Sequence, residues 1–299
     1  MQRRRRNGKG PFSWGLLLLG FLTGAAFVVG LLIYLDWFKP RPMDVKPSRP
    51  SPTVSVPLPG ETPIPHPLPL RPSPHAAYAG PKLAIVIDDM GQDLKKLDAL
   101  LRLNADITVA VLPNLAHSVE TADRAYSKGL DVLVHMPMEP RDKEAHDPGD
   151  GVVLTTMSTR EIKGVMERNI MGVPHAIGLN NHMGSRFTED EAGMRAALGV
   201  LKNRNMFFLD SKTTPNSVGA RLAGEMGLKN AGRDVFLDNE RDVEYIKARI
   251  KEASAIAVKK GKAIAIGHPY PETLEALRQA MPELSKKGIK VVSVSELVR

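Results

Sequence analysis

The chain has 299 residues, 41 Lys and Arg against 33 Asp and Glu, and no cysteine. The missing cysteine excludes a disulfide scaffold, thiolate metal sites and thiol catalysis. Residues 1–80 hold 10 of the basic and 3 of the acidic residues, so nearly all of the formal charge of +8 sits there. Residues 81–299 are close to neutral, which argues against a broad basic face for nucleic acid.

Residues 1–13 form a basic N-terminus with Arg3 to Arg6 and Lys9, and no further charge occurs before Asp36. Residues 14–35 are almost wholly apolar, and at ~1.5 Å per residue such a run crosses a bilayer core as a helix. Trp14 stands at one end and Tyr34 and Trp37 at the other, where amphipathic rings favour the headgroup region. Basic residues ahead of the span keep the N-terminus in the cytoplasm. A cleaved signal peptide has a shorter apolar core, ~7–15 residues, and a small-residue cleavage site. Leu35-Asp36-Trp37-Phe38 is a poor one. The expectation is a retained single-pass transmembrane helix in the inner (cytoplasmic) membrane, with the rest of the chain in the periplasm. Residues 36–80 follow as a tether. Pro40 to Pro74 holds 13 of the 24 prolines, and proline supports neither helix nor sheet ladder.

From Lys82 strands and helices alternate. Leu83–Ile87 is a β-branched apolar run ending at Asp88-Asp89, and Leu94–Leu103 has helical spacing. Ile107–Leu112 reads as a strand, 116–128 as a helix, and Val132–Val134 as a strand ending at His135, with Glu139 four residues on. A loop over 141–156 precedes a helix that Ser158 caps, with Glu161 three residues later. Ile177–Leu179 leads into Asn180-Asn181-His182-Met183-Gly184-Ser185-Arg186, and a helix starts at Thr188. The strand Met206–Leu209 ends at Asp210. A helix over 217–226, a weak strand over 235–237 and a long helix over 242–260 follow. Ala263–Ile266 ends at Gly267-His268, a helix covers 272–287, and Ile289–Val294 is the last strand.

Uniformly apolar strands separated by helices predict an α/β fold with a parallel sheet covered on both faces. A β/α barrel and a doubly wound sheet both satisfy this, and both put the working site at the carboxyl ends of the strands. Asp88, Asp89, His135, Glu139, Asn181, His182, Asp210 and His268 all fall at such ends. One Asp pair or one His there is commonly a cap or a turn residue. Their concentration at successive strand ends points instead to one mouth. One carboxylate and two imidazoles can hold a divalent metal with positions left for water. A second carboxylate can then take a proton, and a separate His can return one. There is no glycine fingerprint or Walker loop, so a nucleotide is not expected.

These segments, in order, resemble the divergent polysaccharide deacetylase family over residues 81–299: Leu83-Ala-Ile-Val-Ile-Asp-Asp-Met-Gly91, Ala110-Val-Leu-Pro-Asn114, His135-Met-Pro-Met-Glu-Pro140, Gly178-Leu-Asn-Asn-His-Met-Gly-Ser185, Phe208-Leu-Asp-Ser211 and Ala265-Ile-Gly-His-Pro269. The resemblance implies a distorted barrel of seven or eight β/α units and a divalent metal, with zinc the expected ion. It casts Asp88 as the catalytic base, Asp89 and His135 as metal ligands, and His268 as the general acid. Glu139 stands where the parent family has its second metal histidine. The third ligand is therefore His182, which preserves the charge of the parent site, or Glu139. The third and fourth parent motifs are replaced by Asn180–Ser185 and reduced to Asp210-Ser211. Glu139, Asn181, Ser185, Arg186 and Asp210 are the substrate-binding candidates. The implied activity is deacetylation of an N-acetylated envelope polysaccharide such as peptidoglycan. The alternative is a catalytically degenerate barrel that binds glycan or an envelope protein.

Overall fold

The computed structural model describes residues 78–299, so the expected membrane helix over 14–35 and the expected tether up to residue 77 lie outside the described residues. Among the described residues no helix is long and apolar enough to cross a membrane.

The strands are β1 (Lys82–Met90), β2 (Thr108–Val111), β3 (Val132–Met138), β4 (Ala176–Met183), β5 (Phe207–Asp210), β6 (Asn230–Gly232), β7 (Val235–Phe236), β8 (Lys262–Gly267) and β9 (Lys290–Val292). The helices are α1 (Leu94–Leu101), α2 (Ser118–Ser127), α3 (Thr159–Met171), α4 (Glu191–Asn203), α5 (Gly219–Glu225), α6 (Val243–Lys260) and α7 (Pro271–Lys286). Pairing between the strands is parallel throughout, in the order β6-β5-β4-β3-β2-β1-β8-β7, with β9 also on β1. Parallel neighbours need a crossover, and most of them here are joined by a helix.

β1 is the hub. β8 pairs with it from Lys82 to Ile87 along one edge. On the other edge β9 takes Lys82–Ala84 and β2 takes over from Val86. The expected distorted barrel of seven or eight units does not close into a ring. No pairing joins β6 to β7, and the sheet is an open, curled half-barrel. Those terminal strands have only three and two residues, too few to build the ladder a ring needs.

The sheet has two apolar faces. Leu83, Ile85 and Ile87 pack with Val132, Val134, Leu179 and the helices in the larger core. Ala84, Val86, Leu133, Phe207, Leu209, Ile264 and Ile266 form a second cluster on the concave face. That strict alternation is the period of a strand. Gly178 belongs to it for reasons of space, because a Cβ there would stand 2.5 Å from the Phe207 ring.

Three local expectations change. β3 and β4 run four residues further than their apolar cores, pairing through Met138 and Met183. His135 and His182 therefore lie inside strands rather than beyond them. Thr188 does not cap a helix: its hydroxyl donates to Gly184 O at 2.8 Å, and Asp190 caps α4 through Gly193 N at 2.9 Å. Ser158 and Glu161 do form the reciprocal capping box of α3.

Candidate metal centre

Continuing the concave-face alternation past the apolar residues generates the site. Beyond Ala84 and Val86 comes Asp88, beyond Leu133 His135, beyond Gly178 Asn180 and His182, beyond Leu209 Ser211, and beyond Ile266 His268. Asp89 has the wrong parity. Its φ of 54° and the register slip between Ile87 and Met90 break the alternation and turn it back toward Asp88's side. Aspartate accepts this left-handed conformation more readily than most residues.

Three ligand atoms converge. Asp89 Oδ1 lies 3.2 Å from His135 Nε2 and 3.0 Å from His182 Nδ1, and the two ring nitrogens are 3.1 Å apart. Despite that proximity Asp89 Oδ1 is buried without a hydrogen-bond partner. An orphaned buried carboxylate oxygen is costly. One carboxylate and two imidazoles are also a suitable donor set for zinc or a similar divalent ion, so these residues fit a cation.

Asn180 sets the chemistry of His135. Its amide nitrogen donates to Asp88 Oδ1 at 2.8 Å and to Ser211 Oγ at 3.2 Å. An ionised carboxylate only accepts, which fixes the amide's orientation. Asn180 Oδ1 is then left to accept from His135 Nδ1, 3.0 Å away. With Nδ1 protonated, His135 presents the Nε2 lone pair to Asp89 and His182. This is the tautomer a ligand requires.

The other flank is built on His268. Asp238 accepts from its backbone N–H at 2.6 Å and meets its ring Nδ1 at 3.0 Å. Thr273 Oγ1 donates to the same carboxylate at 2.8 Å. The ring's free Nε2 faces Asp89 Oδ2 at 3.6 Å. Phe236 and Tyr270 border the ring, with centroids 5.4 and 5.3 Å away.

Burial and charge displace the titrations. Burial pushes the Asp88 carboxyl above its usual range, with His135 and His268 opposing. Burial pushes Asp89 the same way, but the adjoining His135 and His182 rings overrule it and hold Asp89 well below the carboxylate range. Burial lowers His135, yet Asp88 and Asp89 raise it to about 9. Burial also lowers His268, and there Asp238, Asp89 and Asp88 win and raise it.

Asp88, Asp89, His135, His182 and His268 are thus brought together. The proposed substrate residues are not. Glu139 is absent from the ligand cluster. Its Oε2 accepts from Thr155 N and Oγ1 at 2.6 and 2.8 Å, and its Oε1 faces Lys143 Nζ at 3.1 Å. It ties down the 139–155 loop. Asn181 has the opposite parity to Asn180 and His182, and its amide is spent on Ser211 N and Met183 O. Ser185 Oγ accepts from Arg141 N at 3.1 Å, and Arg186 lies 3.7 Å from Glu139. Asp210 accepts from Lys212 N and Ser217 Oγ, serving the turn after β5.

Sequence reasoning missed Asn180 and Asp238. The strand-end rule reaches Asp238, since it closes the segment 235–237, but a two-residue strand is a faint signal. Asn180 has the composition of a turn residue, and only its two-residue offset from His182 marks it.

The sequence profile of the divergent polysaccharide deacetylases matches residues 85–298. The chain belongs to this family. It is 37% identical over 217 residues to the uncharacterized protein YibQ of Escherichia coli (strain K12), covering 73% of this chain and 67% of the relative. An uncharacterized protein of Haemophilus influenzae (strain ATCC 51907 / DSM 11121 / KW20 / Rd) is 36% identical over 223 residues, covering 75% and 79%. The crystal structure of the uncharacterized protein ATU2773 from Agrobacterium tumefaciens C58 matches with a TM-score of 0.72 at 22% identity. It covers 75% of this chain and 92% of that one. This last likeness concerns the fold of this divergent polysaccharide deacetylase domain.

Proposed function

We propose that the domain is a metal-dependent carbohydrate deacetylase, held at the inner membrane by the N-terminal span and facing the periplasm. Its substrate class is an N-acetylated envelope polysaccharide such as peptidoglycan. The observation that carries this reading is the orphaned Asp89 Oδ1 between two imidazole nitrogens, flanked by the Asp88 carboxylate and by Nε2 of His268.

Asp89, His135 and His182 would hold the cation, which supplies polarisation of the acetyl carbonyl and a lowered pKa for water. Asp88 is the base. Asn180 occupies its Oδ1, which leaves Oδ2 to accept the proton of the attacking water. The water oxygen bonds to the acyl carbon, and the C–N bond then breaks. His268 Nε2 delivers a proton to the departing amine while Asp238 holds Nδ1 and steadies the imidazolium. The products are acetate and the free amino sugar. The raised His268 pKa suits this role, since it keeps the acid protonated nearer neutral pH.

The test is the full-length chain purified in detergent without chelators. Stoichiometric divalent metal and acetate release from an N-acetylglucosamine oligomer are expected, and Asp88→Asn abolishes release while keeping the metal. Absence of bound metal refutes the mechanism. Bound metal with no acetate from any N-acetylated glycan leaves the binding-factor reading.

A further inference from the structure

Two guanidiniums lie against the aromatic flanks of His268. Arg233 sits 4.8 Å above the Phe236 ring. Two of its five donors are engaged by the loop after β5, Nε by Ser211 O at 2.7 Å and Nη2 by Lys212 O at 3.0 Å. Arg241 sits 3.8 Å above the Tyr270 ring on the opposite flank. It is exposed, and among the described residues it makes no hydrogen bond or ion pair. Its neighbour Asp242 is committed to capping α6 through Tyr245 N.

The contrast suggests different tasks. Arg233 fastens the loop after β5. Arg241 lies against the Tyr270 ring, one ring away from the proton-donor histidine, with its fork of five donors unspent. Stacking restricts the guanidinium's motion without consuming N–H groups. A guanidinium fork matches a carboxylate with two parallel hydrogen bonds. The segment bearing it, 238–242, leaves the carboxyl end of β7 and therefore borders the cleft.

We infer that Arg241, presented by Tyr270, is a subsite for a carboxylate carried on the glycan beside the acetamido group that is cleaved. This rests on the deacetylase reading and narrows its substrate class to acidic amino-sugar polymers. Arg241 is a specificity residue in this account. It reads a group one ring distant from the bond that breaks, while the reacting atoms belong to Asp88 and His268.

The experiment measures binding in the zinc-loaded full-length chain, in an Asp88→Asn background that stops turnover. The probes are a neutral N-acetylglucosamine hexamer and a hexamer alternating N-acetylglucosamine with N-acetylmuramic acid. The acidic hexamer is expected to bind about tenfold more tightly, as one partly exposed charge-assisted pair allows. Arg241→Gln should erase that preference. Arg241→Lys, which keeps the charge but loses the fork and the stacking, should keep only part of it. Equal affinities in the parent, an undiminished preference in Arg241→Gln, or no binding of either probe overturns the subsite. Acetate release with Asp88 intact is scored separately. Release without an Arg241-dependent preference sinks the subsite alone. A preference without release sinks the deacetylase reading and the placement beside a cleaved group, and keeps only Arg241 as the residue that binds the glycan's carboxylate.

Discussion

Asp238 grips His268 at two points, its backbone N–H and its ring Nδ1, so the histidine's position and its tautomer depend on one carboxylate. Asp238 is itself steadied by Thr273 from the start of α7. The ring nitrogen left over is the one that looks into the cleft.

Asp238→Asn should therefore act through His268. The amide can still accept from the backbone N–H, but it offers a donor where Nδ1 needs an acceptor. The raised pKa of His268 then falls, and the basic limb of the pH–rate profile moves to lower pH. The turnover number should drop about 10–100-fold, as is usual for partners that orient a working side chain. A profile with an unmoved basic limb would deny His268 the acid role.

Removing individual site residues should separate binding from chemistry. Asp89→Asn, His135→Gln and His182→Gln each weaken metal binding about 10-fold or more. Asp88→Asn leaves the metal in place and lowers turnover by about 10²–10⁴. Glu139→Gln leaves the metal content unchanged, because Glu139 serves Thr155 and Lys143. Metal analysis of the five purified variants, with acetate-release rates for Asp88→Asn, checks all of this.

Stability against pH should reveal the state of the ligand histidine once metal is stripped. The folded pKa of His135 is raised to about 9, from 6.5 for an ordinary histidine. A raised pKa contributes stability that is complete below 6.5 and is lost as pH climbs through 9. Asp88, also raised, acts in the same sense, since its ionisation in the buried site is disfavoured. Urea denaturation of the chelator-treated protein should show stability declining from pH 6.5 to 9. The zinc-loaded protein should not decline in this window, because metal ligation replaces the proton.

The backbone at Asp89 makes a separate prediction. A φ of 54° suits Asp, Asn or Gly. Asp89→Asn and Asp89→Val both lose the anionic ligand, but only valine places a branched Cβ in a left-handed conformation. In chelator, Asp89→Val should be less stable than Asp89→Asn by about 1–2 kcal/mol. Equal denaturation midpoints would mean that the chain relaxes freely there.

What could be read in the sequence follows from the strength of its periodic signals. The run ending at Asp88 and the runs ending at His135, His182 and His268 are apolar enough to announce parallel strands, and a polar residue at each tip stands out. Nothing in Asn180-Asn181-His182 says where β4 stops, so the sequence does not separate Asn180 from Asn181. Once β4 is known to reach Met183, parity alone selects Asn180. Glu139 stands out by its spacing from His135, but the chain leaves β3 before it and Thr155 claims its carboxylate. The open edge of the sheet was hidden because β6 and β7 are too short to carry a pattern.

The two halves of the cleft are anchored very differently. The paired aspartates ride on β1, which has neighbours on both edges along much of its length, whereas Asp238 follows a strand of two residues that pairs only with β8. Amide hydrogens behind Asp88 should exchange more slowly than those around Asp238. An incoming polymer would thus meet a stiff cation cradle on one side and a yielding wall on the other. On the proposed deacetylase reading, adjustment to differently shaped sugars would fall to the side that carries the histidine and Arg241.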